Sequence, residues 1–456
     1  MSMYNIALSG AMANQVAMNV TAQNTANINS AGYSRKVVDQ SAVIYGNAGP
    51  NSAGSGVSVT SIRRVSDQAA VERLRSANTE LQHHLAFMSG MKNIESVLGM
   101  EGLNVSLGLN DFFAALEEST LSPESLVYRT QVLANAKSLS ARFNGTMNQL
   151  SNHLNTAIQQ QSTTLTQVNS QLQNVATLNE QIRLASAKGH DISAYQDALD
   201  TELSLVSQSM GINVLYNQDG TVELATQSGQ PLVVGSHVAQ LSVDTSSGDK
   251  YSTEITVRFN GESFAFKDPK GGELGAIDTL KNEQYLPIMA QLNDMAAGFA
   301  DAVNALLMTG TDLNGNPGQP LFTYDPANPA STLSVSNITA AELAFSSNGS
   351  VGNADIATEL AKLANQPIDI NGEQVNIYDV YAQMLGTVGV VSQKAQGDYK
   401  AAMIGLTEAQ SARDSISAVS SNEEAANLMM YMNAYSANMK VIATANQMFD
   451  TVLNSF

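Results

Sequence analysis

The chain of 456 residues contains no cysteine. Disulfides, thiolate nucleophiles and Cys-ligated zinc are therefore excluded, and nothing in it would be trapped on passing between reducing and oxidising compartments. Basic residues are scarce. The 22 Lys and Arg against 41 Asp and Glu leave a formal net charge of −19, which favours solubility and removes the basic footprint that nucleic acid or an anionic membrane surface needs. Charged residues make up 14% of the chain against a usual value of about 25%, while 43% is hydrophobic, so amides and hydroxyls fill the shortfall and the composition reads as globular. At this length roughly two to four domains are expected. No apolar run approaches the roughly 20 residues that cross a bilayer. The opening MSMYNIALSG has neither a basic n-region nor an apolar h-region, so export with a cleaved signal peptide is not expected. Catalytic signatures are missing too, with no GxxxxGK(S/T), HExxH, GxSxG or strand-linked GxGxxG. Neither an enzyme nor a cofactor is expected.

Charge is also absent from the first 34 residues, where Asn, Gln, Ser, Thr and Ala predominate and Arg35 is the first charged side chain. On a helical wheel Leu8, Ala11, Met12, Val16, Met18, Ala22 and Ala26 share a broad face, with Gln15, Asn19 and Gln23 set into it. Such a face suits tight packing between proteins, the amides fixing register as an Asn does in a coiled-coil core; it also fits an ordinary core helix. Ser30-Ala31-Gly32 then ends the helix, and Gly32 is expected to take a positive φ.

From Val37 to Val65 the pattern is extended, with "VVDQSAVIYG" and "GVSVTSI" flanking the turn-rich run Gly46–Gly56. Two long helices follow. One is carried by Val71, Leu74, Asn78, Leu81, Leu85, Met88 and Leu98, the other by Met147, Leu150, Leu154, Ile158, Leu165, Val168, Leu172, Val175 and Ile182, interrupted at Gln161 and Asn179. Past Gly211 the period shortens to two in "INVLY", "TVELA", "PLVVG", "AQLSVD" and "EITVRFN", with turns at Asp219-Gly220, Ser228-Gly229 and Gly261. A helix over Tyr285–Met308 precedes a Gly/Asn/Pro-rich stretch to about Asn353. Helical seams return with Leu385, Val388, Ala395, Tyr399, Ala402 and Leu406, then with Leu428, Met432, Tyr435, Met439, Ile442, Ala445, Phe449, Val452 and Phe456. The fold class is mainly α with an inserted β-rich domain: a coiled-coil rod of long helices from the N- and C-terminal parts, and a β-rich outer domain from the middle.

The remaining chemical candidates are weak. His83 and His84 are adjacent, about 100° apart on a helix, and cannot share a metal. Asp312-Leu313-Asn314-Gly315-Asn316-Pro317 imitates the start of a calcium loop, but Pro317 stands where Gly is needed and Thr323 where Glu is needed, so it reads as a turn. Glu423-Glu424 fit the positive end of a helix better than acid–base catalysis.

At both ends the residues resemble the bacterial flagellar axial proteins. Ala7-Leu8-Ser9-Gly10, Asn19-Val20-Thr21, Asn24, Ala26-Asn27, Asn29 and Gly32-Tyr33-Ser34-Arg35 are similar to the family's N-terminal signature. Ser415, Ser417, Val419, Glu423-Glu424-Ala425-Ala426-Asn427-Leu428, Ala434-Tyr435, Ala437-Asn438, Val441-Ile442, Thr444-Ala445 and Met448-Phe449-Asp450-Thr451 are similar to its C-terminal one. Within the axial proteins, Phe112-Phe113, Pro123, Arg129, Gly271-Gly272-Glu273-Leu274-Gly275, Val303-Asn304 and Gly310-Thr311-Asp312-Leu313-Asn314-Gly315 resemble the hook-associated protein 1 family of the hook–filament junction. Ala418 and Asn422 depart from the family's Gly and Asp, and Ala198-Leu199-Asp200 is a reduced form of a longer acidic element.

The resemblance implies an inner terminal-helix domain of residues 1–35 and 415–456, a helical rod domain of 36–200 and 370–414, and a β-rich outer domain of 201–369. Subunit packing would fall to Leu8, Met12, Gln15, Val16, Asn19, Gln23 and Asn27, and to Leu428, Met432, Tyr435, Met439, Ile442, Phe449 and Val452. A flagellar export chaperone would bind Leu428, Tyr435, Ile442 and Phe449, and Gly32-Tyr33 would form a hinge. The implied partners are further copies in a helical tubular assembly, the hook protein and a second junction protein. The implied location is the extracellular flagellum, reached by the flagellar type III pathway. A neutral amide-rich helix can pack against copies of itself around a channel without charge repulsion, and should adhere less to a passing unfolded chain than a charged wall would. A hook or distal-rod protein, and a type III secreted effector or adhesin with a coiled-coil stalk, are the alternatives.

Overall fold

In the computed structural model, residues 3–30, 32–43, 54–244, 251, 253–266 and 269–455 are described. The order begins with α1 (Met3–Ala26), β1 (Lys36–Ala42), β2 (Val57–Arg64), α2 (Gln68–Gly99), α3 (Val105–Leu121), α4 (Leu126–Ala187) and α5 (Ser193–Ser209). Strands β3 (Ile212–Tyr216), β4 (Val222–Thr226), β5 (Pro231–Val234), β6 (His237–Val238), β7 (Gln240–Asp244), β8 (Glu254–Phe259) and β9 (Glu262–Phe266) follow. Then come α6 (Gly272–Thr279), a π-helical turn, α7 (Leu286–Leu307), β10 (Phe322–Thr323), α8 (Pro329–Thr332), β11 (Ser334–Val335), α9 (Asp355–Lys362), β12 (Ile368–Ile370), β13 (Glu373–Val375), α10 (Ile377–Ser417) and α11 (Ser421–Leu453). The fold is mainly helical, with long helices from both ends of the sequence and small antiparallel sheets from its middle. The β1–β2 hairpin is as expected, although most of the Gly46–Gly56 run lies outside the described residues.

The residues group into two compact units. The first comprises Met1–Gln82, Thr164–Gly272 and Ala401–Phe456; the second comprises His83–Thr163 and Glu273–Lys400. In the first unit the order β3-β4-β5-β6 is an antiparallel meander and β7-β8-β9 a three-stranded sheet. Turns between strands fall at Gly220, Gly229, Gly235 and Gly261, all with positive φ. This part of α4 buries Leu165, Val168, Leu172, Val175 and Ile182. Two of its polar side chains join helix to sheet. Asn179 accepts from Val222 N–H at 2.9 Å and donates to Val222 C=O at 2.8 Å. Asn169 does the same with Leu241, both bonds at 2.8 Å. A side-chain amide offers N–H donors beside a carbonyl acceptor, so it can complete both main-chain bonds of one residue as another strand would.

In the second unit Phe112, Phe113, Phe299, Phe322 and Tyr378 form an aromatic cluster with centroids 5.4–6.3 Å apart. The long connection after α7 is held to it by polar side chains. Asn304 brackets Phe322 with two bonds of 2.9 Å, and Asn144 donates to Leu333 C=O at 3.1 Å. Arg129, 2% exposed, donates to the carbonyls of Pro123 and Leu343 and lies 4.5 Å over the Phe345 ring. Burial brings its pKa down to about 10, against the opposing pull of Asp312 and Glu124.

Gln161 lies in the α4 seam between Ile158 and Leu165, 1% exposed, and neither polar atom of its amide has a hydrogen-bond partner among the described residues. An unpaired buried amide costs about 1–3 kcal/mol. Gln161→Leu, which continues the apolar seam, is expected to raise the urea midpoint of the transition that includes α4 by an equivalent amount. A lowered midpoint would show that the amide contributes to stability.

Candidate subunit interface

The two ends of the sequence meet as an antiparallel helical pair. Asn24 on α1 donates to Glu424 on α11 at 3.2 Å, and Gly10 lies against Asn438, fourteen residues along each helix. The α1 side of this contact is a stripe of small residues, with Ala7, Gly10, Ala13 and Ala17 buried along with Val20, Thr21 and Asn24. A Cβ on Gly10 would come within 2.9 Å of both Asn438 amide atoms, so the close approach depends on the missing side chain.

Asn24 is 1% exposed and serves as the centre of a polar hub. Its amide brackets Lys36, accepting from N–H and donating to C=O at 2.9 Å each, and its oxygen also accepts from the Tyr33 hydroxyl at 2.9 Å. Arg35 reaches Glu423 at 2.8 Å and the buried Glu424 at 3.2 Å. Arg35 N–H donates to Ser417 C=O, and Val65 N–H to Arg35 C=O. Arg413 donates to Tyr33 C=O at 3.2 Å. Below the loop Arg64 is paired with Asp197 at 3.0 Å and with Asp200. Burial, then the charges of Asp197, Glu424 and Asp191, push the Tyr33 hydroxyl up to about 12, so it remains a donor. Burial likewise raises Asp197, opposed by Arg64 and Lys36.

Gly32 has φ +79°, the sign expected of it, although α1 ends at Ala26 and the glycine lies in the segment beyond rather than at the helix cap. A Cβ there would lie 2.7 Å from the Thr201 hydroxyl. Gly32→Val is therefore expected to cost about 1–2 kcal/mol from the left-handed backbone alone, read as a lower thermal midpoint. Adding Thr201→Ala should relieve the overlap but not the backbone cost; full recovery in the double variant would refute the conformational argument. The loop also borders a groove of ≈ 570 Å³ lined by Ile28, Val71, Leu74, Leu205, Leu406 and Val419 among others.

The residues marked for subunit packing fall mostly outside this seam. On α1, Met12, Gln15, Asn19 and Gln23 are exposed and Leu8 and Val16 half-buried, as is Asn27 just beyond the helix. On α11, Leu428, Met432, Met439, Phe449 and Val452 are exposed, Tyr435 is half-buried and Ile442 buried. Ile442 and Glu424 are the buried residues of α11. Its exposed side carries Met429, Met430, Val441, Met448 and Leu453 as well. The apolar pattern of α1 gave the packing role to its heavy residues; Asn24, Ala7 and Gly10 were marked only by resemblance, with no packing role, and the stripe's own signal is small residues recurring at 7, 10, 13 and 17.

Glu423 and Glu424 occupy the first turn of α11 behind the Ser420 cap, whose hydroxyl accepts from Glu423 N–H. The Asp312 carboxylate accepts the N–H groups of Asn314 and Asn316 at 2.8 and 2.7 Å and their side-chain amides too, closing the turn on itself. Among the described residues no group of His, Asp and Glu could hold a metal ion, and no helix is long and apolar enough to cross a membrane.

A sequence model of the flagellar hook-associated protein FlgK helical domain matches residues 91–322, half of the chain, and one of the flagellar basal body rod FlgEFG protein C-terminal region matches 410–455. Flagellar hook-associated protein 1 of Bacillus subtilis is 26% identical over 97% of this chain and 96% of its own length. The protein of that name from Escherichia coli is 24% identical over 99% of each. The solved structure of the flagellar hook junction protein FlgK from Burkholderia pseudomallei superposes with a TM-score of 0.69 at 16% identity, covering 75% of this chain and 100% of the other.

Proposed function

The chain belongs to the family of the flagellar hook-associated protein FlgK, and from that premise we propose that it is a structural protein of the bacterial flagellum that polymerises at the hook–filament junction and joins the two. The observation that carries the reading is the α1–α11 pair: it fastens the chain ends together through a buried polar hub and turns most of its large apolar side chains outward. Exposed apolar surface of this density on a helix calls for a neighbour. Further copies supply it in a tubular assembly, with Met12, Gln15, Asn19 and Gln23 of α1 beside Leu428, Met432, Met439, Phe449 and Val452 of α11. The hook protein lies on one side and a second junction protein on the other.

In this reading residues 1–35 and 415–456 form the innermost layer, 36–200 and 370–414 the surrounding helical layer, and 201–369 the outward-facing part, with Gly32-Tyr33 as the hinge. The chain leaves the cell through the flagellar type III route, its C-terminal helix covered beforehand by an export chaperone at Leu428, Tyr435, Ile442 and Phe449. Membership of the FlgK family favours this over a hook, distal-rod or effector role.

Electron microscopy of a deletion strain tests it: intact hooks without filaments are expected, whereas missing hooks or normal filaments would overturn it. In the same strain Asn19→Leu, at an exposed position, is expected to give a folded subunit that restores few filaments. Wild-type motility would remove Asn19 from the interface.

A further inference from the structure

Five of the chain's 19 methionines stand within the 33 residues of α11, and all five, Met429, Met430, Met432, Met439 and Met448, are 42–59% exposed. Elsewhere in the chain Met91, Met147, Met210, Met289, Met295 and Met384 are buried, while Met3, Met12, Met100, Met308 and Met403 are exposed but scattered over different segments. With no cysteine present, thioether sulfur is the only oxidisable sulfur the molecule has. We propose that the five methionines of α11 are an oxidation-sensitive modification site, at which conversion to sulfoxide by hydroperoxides blocks the packing of α11 and repair by a thiol-dependent reductase restores it.

The chemistry balances with one co-reactant in each direction. With hydrogen peroxide, a sulfur lone pair attacks one peroxide oxygen, the O–O bond breaks, an S–O bond forms, and the departing hydroxide takes the proton of the sulfur-bound hydroxyl to leave as water. Sulfur loses two electrons and the peroxide gains them. In the reverse step two thiols of a reductase become a disulfide and the oxygen leaves as water. Accessibility favours these sulfurs over the enclosed ones, because a sulfur surrounded by packed side chains is not reached by the oxidant; what sets α11 apart from the other exposed methionines is that five thioethers share one helix. The effect on packing follows from polarity: an unbranched apolar side chain that adapts to its neighbour becomes a polar, chiral one. Five such changes on one helix act on a single contact surface.

The proposal rests on α11 packing in the assembly, and the experiment separates the two. Purified full-length chain is treated with hydrogen peroxide, mapped by peptide mass spectrometry, and added to hooks isolated from the deletion strain. The five α11 methionines are expected to oxidise at least tenfold faster than Met91, Met210, Met295 and Met384, and binding to hooks is expected to fall at least tenfold. Treatment with methionine sulfoxide reductases and a dithiol should restore it. A variant with all five replaced by leucine, whatever its starting affinity, should change less than about twofold on peroxide treatment. Equal oxidation of buried and α11 methionines, undiminished binding by the oxidised chain, or lost binding that persists after the sulfoxides are repaired would each overturn the proposal. Failure of the untreated chain to bind hooks would overturn the junction reading, and this proposal with it.

Discussion

Replacing Asn24 with leucine is expected to destabilise the first unit by about 3–6 kcal/mol, although the two side chains differ little in size. The substitution leaves Lys36 N–H, Lys36 C=O and the Tyr33 hydroxyl without the partner each now has in a buried setting, and each such loss costs about 1–3 kcal/mol. Glu424 loses a donor as well. The measurement is hydrogen exchange at Lys36 N–H together with the thermal midpoint; an exchange rate and a midpoint unchanged from wild type would refute the hub. Asn24→Asp is a sharper version. It keeps an acceptor but sets a second carboxylate beside Glu424, so one of the pair must hold a proton and its folded-state pKa is raised. The sign follows: the added instability is smallest below the ordinary carboxylate range, where both acids are protonated folded or unfolded, and grows as pH rises through the raised value. Asn24→Asp with Glu424→Gln should recover part of the loss at neutral pH.

The second large effect concerns α11. In the free subunit its amides from Asn427 to Leu453 are expected to exchange within about tenfold of an unstructured chain, whereas those of Met384 to Ala395 in α10 are expected to be strongly protected. Ile442 is the one large apolar side chain that α11 buries, worth about 1.5–3 kcal/mol. A helix of this length draws its stability from tertiary packing of one face, and the face opposed to α1 is largely small and polar. Ordering therefore awaits a chaperone or neighbouring subunits, and a chain end in this state can enter a narrow export channel without first being unwound. Strong protection of Asn427–Leu453, at a concentration too low for assembly and without chaperone, would show the helix stable by itself.

The long helices were legible because a period near 3.5 is a property of contiguous sequence. Leu165, Val168, Leu172, Val175 and Ile182 are buried where that period places them. The strands from Ile212 to Phe259 were legible for the same reason at period two, with glycine at each tight turn. What stayed hidden involves partners far apart in the chain. Asn179 read only as an interruption of the α4 seam, since its partner Val222 is 43 residues away and contributes backbone alone. The hub was legible in its parts but not in its assembly: Asn24, Gly32-Tyr33-Ser34-Arg35 and Glu423-Glu424 were all marked by resemblance, and nothing local says that a residue near each end shares one hydrogen bond. On α1 the heavy side chains Leu8, Met12 and Val16 outweighed the alanines in any apolar pattern, yet the alanines and Gly10 are what permit close approach.

Among the described residues four asparagines bracket a single residue's main chain, Asn24 with Lys36, Asn169 with Leu241, Asn179 with Val222 and Asn304 with Phe322, and these bonds recognise nothing of the side chain they hold. The clamp itself excludes only proline at the held position, where the side chain is constrained instead by the core it is buried in, while the asparagine has no substitute of equal reach. Descendants of this chain can rewrite their strands, lengthen their turns or exchange one surface for another, and the helices will still know where to hold them.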